Sequence, residues 1–445
     1  MYVVIVGAGE VGFHIAQVLI LEGHDVAVID RNPEHHRRAS EELDALVLLG
    51  NGASKKTLRE ANIARADILI AVTDADEVNM VACMAAKHVG VPLTIARIRN
   101  PDYLDDVRSV SREFTGIDYV IQPEGAVAEE VARLAELPGA VDVGAFADDR
   151  VSMAEIQVDP QSPAAGSRLR EAGLPRNVLL TAVLRGDSMT IPSGETTLLA
   201  GDRVFLVGKR EGVLKAAGML SLQLRPTRRA ILLGCGEMGI RIARLLEERG
   251  IRLTIFEKDY DRSVEAATQL RHSLVLHDEG LGEGILLQEG VQDVDLFVAA
   301  TGDDRLNILA SLQAKRLGAA RTIAIVERAE FSAILQSVGV DAAISPRRIT
   351  ASTILGFIRG GDILSVAVLE RSAGEVLEVV VTEGSAAAGK KLKDLHFPDG
   401  AIVGVLVQAD GVHVAHGNSI PQPGDRAVVF ALPEAVPEVE KLFAH

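Results

Sequence analysis

Residues 3–12 read Val-Val-Ile-Val-Gly-Ala-Gly-Glu-Val-Gly. The apolar, β-branched run at the start predicts a buried strand, and residues 11–21 predict a helix. Between them lies the pattern G-x-G-x-x-G, in which Gly7 permits a tight turn, Gly9 lets the backbone approach a pyrophosphate, and Gly12 lets the helix pack closely. This arrangement predicts a dinucleotide-binding fold of the Rossmann type, with the pyrophosphate held by amides at the helix N-terminus.

A carboxylate follows the second predicted strand, at the position where Rossmann-type domains bind ribose. Asp30 comes roughly 20 residues after Gly12, directly after the apolar run 26–29. We expect its side chain to lie at a solvent-facing strand end and to accept hydrogen bonds from the adenosine ribose, so that Asp30→Ala weakens binding without unfolding the domain. A carboxylate here favours NAD or a plain adenine nucleotide over NADP, although Arg31 is adjacent.

The chain contains an internal repeat. Four segments of the first half recur in the same order in the second half, each roughly 225 residues later. The matched segments are Gly7–Gly12 with Gly234–Gly239, Thr73–Asn79 with Thr301–Asn307, Gly166–Leu169 with Gly389–Leu392, and Gly201–Arg203 with Gly424–Arg426. Asp30 is matched by Glu257. Two similar units therefore make up the chain, and each is expected to carry its own nucleotide site.

Each unit combines two patterns. Alternating strands and helices predict an open parallel sheet, and the period-two pattern that follows predicts a smaller β-rich domain. The strands predicted in the first unit are 3–6, 26–29, 45–48, 68–72, 93–96 and 119–121 for the parallel sheet, and 153–158, 179–184 and 204–207 for the β-rich domain. The fold class is therefore α/β, a tandem duplication of a Rossmann-like domain followed by a small β-rich (α+β) domain.

These patterns also predict domain boundaries. The predicted domains are a Rossmann-like domain at 1–122, a connecting helix with a β-rich domain at 123–223, a second Rossmann-like domain at 228–345, and a second connecting helix with a β-rich domain at 346–445. The segment 224–229 interrupts both patterns, so we interpret it as the linker between the halves.

Composition and charge exclude several classes of protein. The 445 residues are 48% hydrophobic, which excludes a disordered chain, yet no apolar run approaches the ~20 residues that cross a bilayer. A net charge of −16 and the lack of Trp argue against binding to nucleic acid or directly to anionic lipid. The start of the chain lacks a signal-peptide pattern, so a cytoplasmic protein is expected. Cys83 and Cys235 have neither metal-ligand nor disulfide spacing, so no metal site is expected.

Polar residues follow three further predicted strands, where an open parallel sheet places its ligand contacts. Asn51, Thr73 and Asp74 either contact the ligand or only form turns, for which these residue types are also common. Arg97 either reaches a phosphate or carboxylate or makes a surface ion pair. In the repeat, Ile325 takes its place, so the second site lacks this cation.

The glycine fingerprint, the duplication and the repeated Gly-Asp-Arg turns make the chain resemble the TrkA family, the regulatory subunits of bacterial Trk potassium-uptake systems. The resemblance covers essentially the whole chain, and its most specific element is the order of four modules, two RCK (or KTN) domains alternating with two C-terminal modules. It implies a homo-oligomeric ring, a tetramer, peripheral on the inner face of the cell membrane through a TrkH- or TrkG-type potassium-translocating protein. It also implies gating of that partner by NAD(H), ATP or ADP.

The resemblance implies that nucleotide is bound by both glycine fingerprints, the acids that follow them and the polar strand-end residues. These residues are Gly7, Ala8, Gly9, Glu10, Val11, Gly12, Asp30, Asn51, Thr73, Asp74 and Arg97 in the first half, and Gly234, Cys235, Gly236, Glu237, Met238, Gly239, Glu257, Glu279 and Thr301 in the second. Ile325 in place of Arg97, and His-Asp-Glu at 277–279 where the first half has Leu-Gly-Asn, argue against equal affinity of the two sites.

Two other classes of protein fit the fingerprint less well. An NAD-dependent oxidoreductase needs an acid or base beside the nicotinamide, and none of the eleven histidines lies in a catalytic or metal-ligand pattern. The duplication also leaves no separate substrate domain, so catalytic residues are not expected. An NAD-responsive transcription regulator needs a basic DNA-binding motif, and 225–229 is too short to supply one.

Overall fold

The computed structural model describes the chain apart from residues 22, 101–102, 104–115, 138, 187, 222–226, 328–334, 336–337, 359–362, 369–373 and 444–445. Residues 224–226 of the predicted linker at 224–229 lie outside the described residues. The described residues form two six-stranded parallel sheets and two five-stranded antiparallel sheets. Two compact units contain them, one of Met1–Ala126 with Pro346–Ile358, the other of Val127–Ser345 with Arg359–His445.

The first parallel sheet has the strand order β3-β2-β1-β4-β5-β6. Its strands are β1 (Tyr2–Val6), β2 (Asp25–Asp30), β3 (Leu46–Leu49), β4 (Ile68–Ala71), β5 (Leu93–Arg97) and β6 (Tyr119–Ile121). The helices that accompany it are α1 (Glu10–Leu21), α2 (Pro33–Glu42), α3 (Lys55–Glu60) and α4 (Asp76–His88). The central strands are buried on both faces, which explains their continuous apolar sequences. This order reverses between β1 and β4, and open parallel sheets bind ligands at such a point.

The second parallel sheet repeats this topology. Its order is β14-β13-β12-β15-β16-β17, which matches the first sheet strand for strand. The strands are β12 (Arg229–Leu233), β13 (Arg252–Glu257), β14 (Leu274–His277), β15 (Leu296–Ala299), β16 (Thr322–Ile325) and β17 (Ala342–Ile344). The helices are α7 (Glu237–Glu248), α8 (Tyr260–Gln269), α9 (Glu283–Gln288) and α10 (Asp304–Arg316). The duplicated Rossmann-like architecture predicted from the sequence is confirmed.

The two antiparallel sheets also share one order, β10-β9-β11-β8-β7 and its counterpart β21-β20-β22-β19-β18. The first consists of β7 (Ala140–Phe146), β8 (Val151–Gln157), β9 (Val178–Arg185), β10 (Ser188–Thr190) and β11 (Arg203–Gly208), followed by α6 (Arg210–Leu220). The second consists of β18 (Ile363–Val368), β19 (Glu375–Val380), β20 (Ala401–Gln408), β21 (Gly411–Val414) and β22 (Arg426–Ala431), followed by α12 (Val436–Phe443). A shared apolar core that includes Phe205 and Phe430, with ring centroids 6.1 Å apart, joins the two sheets.

The sequence did not predict β7, and the β-rich pattern was expected to start only at about residue 152. Asp142 and Gly144 lie within β7 and break the apolar pattern, yet the strand pairs along its length with β8.

The repeated Gly-Asp-Arg segments close equivalent turns in the two β-rich sheets. Gly201 has φ +84°, a conformation that favours glycine. Asp202 Oδ2 accepts the Leu199 amide at 2.8 Å and so closes the turn. Arg203 pairs with Glu155, which is fully buried. These roles recur in the second sheet.

In the second sheet Gly424 has φ +88°. Asp425 Oδ2 accepts the Gln422 amide at 2.8 Å, and Arg426 pairs with Glu378 at 3.2 Å. The Gly-Asp-Arg repeat is therefore retained because one residue turns the backbone, one closes the turn and one neutralises a buried carboxylate.

The connecting helices α5 (Pro123–Glu136) and α11 (Pro346–Ile358) are exchanged between the halves. From Val127 onward α5 belongs to the unit that contains the second parallel sheet, while α11 belongs to the unit of the first. Within its unit, α11 packs against α1. Each Rossmann-like domain is therefore covered by a helix from the other half of the sequence.

A buried arginine fixes the end of α5 in its unit. Arg321 Nη1 donates to the carbonyls of Leu134, at 2.5 Å, and Leu137, at 3.1 Å, while Nη2 donates to the Ala140 carbonyl. Burial lowers the pKa of Arg321 to about 10, so the guanidinium stays charged at neutral pH. A cation at the C-terminus of α5 also matches the negative end of the helix dipole.

Arg321→Leu is expected to lower the free energy of unfolding by about 2 kcal/mol or more, since three carbonyls lose their donor while the buried volume is largely kept. Urea denaturation followed by circular dichroism measures the change. The matched control is Arg316→Leu, which removes an exposed arginine paired with Glu283 and should change stability by less than about 0.5 kcal/mol. Equal effects of the two substitutions would contradict a capping role for Arg321.

Candidate functional site

In the glycine turn between β1 and α1, two glycines have no room for a side chain and the middle one has room. Gly7 has φ +107°, and a Cβ on Gly12 would lie 1.8 Å from the Gly7 carbonyl oxygen, so the turn itself requires both glycines. A Cβ on Gly9 would meet only His35 Cε1, at 4.0 Å. The fold does not require glycine at position 9. Its backbone is open to an approaching group, as pyrophosphate binding needs.

The second glycine turn, between β12 and α7, has the same steric signature. Gly234 has φ +93°, and a Cβ on Gly239 would lie 2.2 Å from the Gly234 carbonyl oxygen. A Cβ on Gly236 would have no neighbour within 4 Å. Both turns therefore leave their middle glycine accessible, and both suit a diphosphate at the helix N-terminus.

The acids at the ends of β2 and β13 are buried, and they hold the glycine turns. Asp30 is 9% exposed, and it accepts the Ala8 amide at 2.5 Å and the Asn32 amide at 2.7 Å. Glu257 is 4% exposed, and it accepts the Cys235 amide at 2.7 Å. The expected solvent-facing position of Asp30 is therefore wrong, because its carboxylate is the acceptor for a buried amide of the turn. A ribose at this site would share a carboxylate that already stabilises the loop.

Two asparagines that the sequence reasoning did not single out organise the ends of β4 and β15. Asn79 is fully buried; its Oδ1 accepts from the amide and hydroxyl of Thr73, and its Nδ2 donates to the carbonyls of Thr73 and Arg97. Asn307 makes the same contacts with Thr301 and with the Ile325 carbonyl. Each asparagine ties the ends of two neighbouring strands together. The repeat Thr73–Asn79 contained this signal, since it ends on the asparagine in both halves.

Charges at the end of β5 distinguish the two sites. Asp74 Oδ1 lies 2.5 Å from Arg99 Nη2 and 3.9 Å from Arg97 Nη1. Arg97 is 12% exposed, whereas Asp74 is 87% exposed, so a largely buried guanidinium lies beside a carboxylate that faces solvent. Ile325 and Glu327 match the two arginines in the repeat. The first site therefore carries two guanidinium groups where the second carries an apolar group and an acid.

The other predicted polar contacts lie on loops. Asn51 is exposed and its Oδ1 accepts the Ala53 amide at 2.9 Å, which closes the turn after β3. In the second half Asp278 makes this turn through the Gly280 amide, and Glu279 is exposed beside it. Ligand contact by Asn51 or Glu279 stays a prediction.

The cysteine in the second fingerprint has no reactive character. Cys235 is fully buried, and burial raises the pKa of its thiol to about 12, so it is protonated at neutral pH. The described residues contain no cluster of His, Cys, Asp and Glu suited to a metal ion. Within the described part of the chain, every helix falls short of the length or apolar character that a bilayer crossing needs.

Comparison with known proteins agrees with this architecture. The TrkA-N domain family matches residues 3–123 and 230–346, and the TrkA-C domain family matches 153–221 and 376–444. The chain thus consists of two pairs of TrkA-N and TrkA-C modules, and it belongs to the TrkA family of Trk system potassium uptake proteins. It is 38% identical to TrkA homolog 1 of Methanosarcina mazei over the full length of both chains. It is 33% identical to TrkA of Haemophilus influenzae, covering 100% of this chain and 98% of the relative.

Solved structures share the fold at low sequence identity. The GsuK RCK domain superposes with a TM-score of 0.61 at 18% identity, covering 99% of this chain and 94% of that one. The GsuK channel bound to NAD gives the same TM-score and identity, covering 99% and 78%. GsuK bound to ADP gives 0.50 at 15% identity, covering 80% and 68%. The RCK-type fold predicted from the sequence is confirmed.

The glycine geometry predicts different effects on stability for two similar substitutions. Gly12→Ala should lower the free energy of unfolding by about 2 kcal/mol, because the new methyl group overlaps the Gly7 carbonyl. Gly9→Ala should leave stability unchanged or raise it by up to about 1 kcal/mol, since the site has room for a methyl group. Thermal and urea unfolding of both variants measure this difference. A loss of stability in Gly9→Ala as large as in Gly12→Ala would mean that position 9 is closed by the fold.

Proposed function

We propose that this chain is a cytoplasmic nucleotide-sensing regulatory subunit that gates a Trk-type potassium channel or transporter by binding NAD(H), ATP or ADP. The observation that carries the proposal is the pair of glycine turns, each with an open middle glycine beside a helix N-terminus and a buried carboxylate. The relatives named as Trk system potassium uptake proteins and the GsuK channel structures with NAD and ADP support it.

In this proposal the first site holds the nucleotide diphosphate on the amides of the turn from Gly7 to Gly12. The carboxylate of Asp30 accepts from the ribose, and the guanidinium groups of Arg97 and Arg99 supply positive charge near the phosphates. Thr73, Asp74 and Asn51 line the strand ends beside them. NAD(H), ATP and ADP share the adenosine diphosphate portion, so one site accepts all three.

The second site uses the turn from Gly234 to Gly239 with Glu257, and Thr301 at the end of β15. It lacks both arginines, and Glu327 adds a negative charge. We therefore propose that the second site binds nucleotide more weakly than the first, and most weakly where the ligand carries three phosphates.

Gating in this proposal is a population shift. A nucleotide moves an assembly between two shapes only by the difference in its affinity for them, typically ~1–3 kcal/mol. We propose a homo-oligomer, a tetramer, peripheral on the inner membrane face through a TrkH- or TrkG-type potassium-translocating protein. The Rossmann-like domains sense the ligand, and no residue has a catalytic role. The domain boundaries at 1–122, 123–223, 228–345 and 346–445 are kept as part of the proposal.

Calorimetric titration with NADH, NAD, ATP and ADP tests binding. We expect micromolar affinity, with one tight and one weaker site, and no consumption of NADH in the presence of keto acids. Gly9→Ala should remove the tight site and Gly236→Ala the weak one, because each methyl group fills the space that the diphosphate needs. No binding of any nucleotide to the unaltered protein would refute the proposal, and steady NADH oxidation would favour an oxidoreductase instead.

Potassium flux into vesicles that contain a TrkH- or TrkG-type partner tests gating. Nucleotide should change the flux when the unaltered chain is added. The double variant Gly9→Ala/Gly236→Ala serves as the matched control, since it is expected to fold and assemble but not to respond.

A further inference from the structure

Helix α11 brings an arginine of the second half to the first glycine turn. Glu10 is the first residue of α1 and directly follows Gly9, the open glycine of the turn. Its Oε2 lies 3.2 Å from Nη1 of Arg347, the second residue of α11. Arg347 is 20% exposed, and α11 packs against α1 in the same compact unit. The contact therefore links the phosphate-binding loop to a helix that is more than 300 residues away in the sequence.

The same carboxylate carries a second cation. Glu10 Oε1 lies 3.1 Å from Nη1 of Arg38, whose guanidinium also stacks 4.2 Å from the ring centroid of Phe13. Two guanidinium groups thus share one carboxylate that is 42% exposed. A half-exposed ion pair is weak, so another anion can replace its carboxylate at little cost. Arginine is also well suited to phosphate, which it binds through two parallel N–H donors.

We propose that Arg347 is a phosphate-binding residue of the first nucleotide site, which exchanges Glu10 for nucleotide phosphate when the site fills. This inference rests on the proposed function, because it assumes that a nucleotide occupies the glycine turn. The exchange makes the position of α11 depend on ligand. Since α11 belongs to the second half of the sequence, a residue of that half would respond to occupancy of the first site.

The connecting helix of the first half has no arginine at the two matching positions. The residue of α5 that matches Arg347 is Glu124, and the residue that matches Arg348 is Gly125. The N-terminus of α5 thus offers a carboxylate where α11 offers a guanidinium. Arg97 and Arg99 likewise occur only in the first half. The cation-rich site and the arginine-bearing helix therefore coincide, which is the arrangement that a phosphate-dependent contact requires.

Titrations of ADP and ATP into Gly236→Ala protein, which keeps only the first site, test the inference. Adding Arg347→Gln should weaken binding about tenfold, the loss expected for a charge-assisted hydrogen bond. Adding Glu10→Gln should tighten binding about threefold, because the competing carboxylate and its repulsion of phosphate are removed. In the double variant Arg347→Gln/Glu10→Gln, the gain from Glu10→Gln should shrink, since part of it acts through Arg347.

The opposite changes in nucleotide affinity expected for Arg347→Gln and Glu10→Gln distinguish a ligand contact from a structural ion pair. If the pair only supports the loop, both single substitutions weaken binding, and the inference is overturned. Unchanged affinity in Arg347→Gln also overturns it. Arg316→Gln, in an exposed ion pair of the second half, is the matched control and should have no effect. If Arg347→Gln folds poorly, Arg347→Lys, which keeps the charge, and Glu10→Gln still decide the question. Failure of the Gly236→Ala parent to bind would instead point to the proposed function itself.

Discussion

The hydrogen bond from a glycine-turn amide to the carboxylate that ends the neighbouring strand is the contact on which each Rossmann-like domain depends. Asp30 makes it with Ala8, and Glu257 makes it with Cys235. In each case the donor is buried, so without the carboxylate it would lose its hydrogen bond inside the protein. In the first half the contact ties the end of β2 to the turn between β1 and α1. An acid at this position therefore stabilises the fold without any ligand. If its substitution weakens nucleotide binding, that loss alone does not show that the acid contacts the ligand.

The strands and turns of the parallel sheets could be predicted because each one has a signature within a short stretch of sequence. Buried strands such as β1 and β4 are continuously apolar, and the glycines that separate them from helices are required by backbone geometry that can be read from a short stretch. The internal repeat then showed the same glycine turn and strand-end segments a second time, which supported each assignment. Strand β7 was not predicted because Asp142 and Gly144 interrupt its apolar pattern. The strand forms because it pairs with β8.

Long-range contacts explain the rest of what the sequence did not reveal. A helical pattern predicted α5 and α11, but periodicity carries no information on which domain covers a helix. The exchange of these helices, and with it the contact between Arg347 and Glu10, follows only from the folded chain. Asn79 is part of a repeated segment, but the sequence did not reveal its role. Its side chain connects the ends of β4 and β5, which are neighbours only in the folded sheet. The charge difference between the sites was visible in part, through Arg97 and Ile325, and the structure adds Arg99 and Glu327 to it.

Exchange of the connecting helices has a consequence for how such a chain diverges. In a symmetric pair of identical subunits, any substitution in the helix appears at both sites at once. Joining the two copies in one polypeptide removes that restriction, because α5 and α11 become separate stretches of one gene. Arg347 and Glu124 stand at matching positions with opposite charge, a difference that an identical pair cannot have. The covalent link thus allows each copy to specialise while the shared scaffold stays the same.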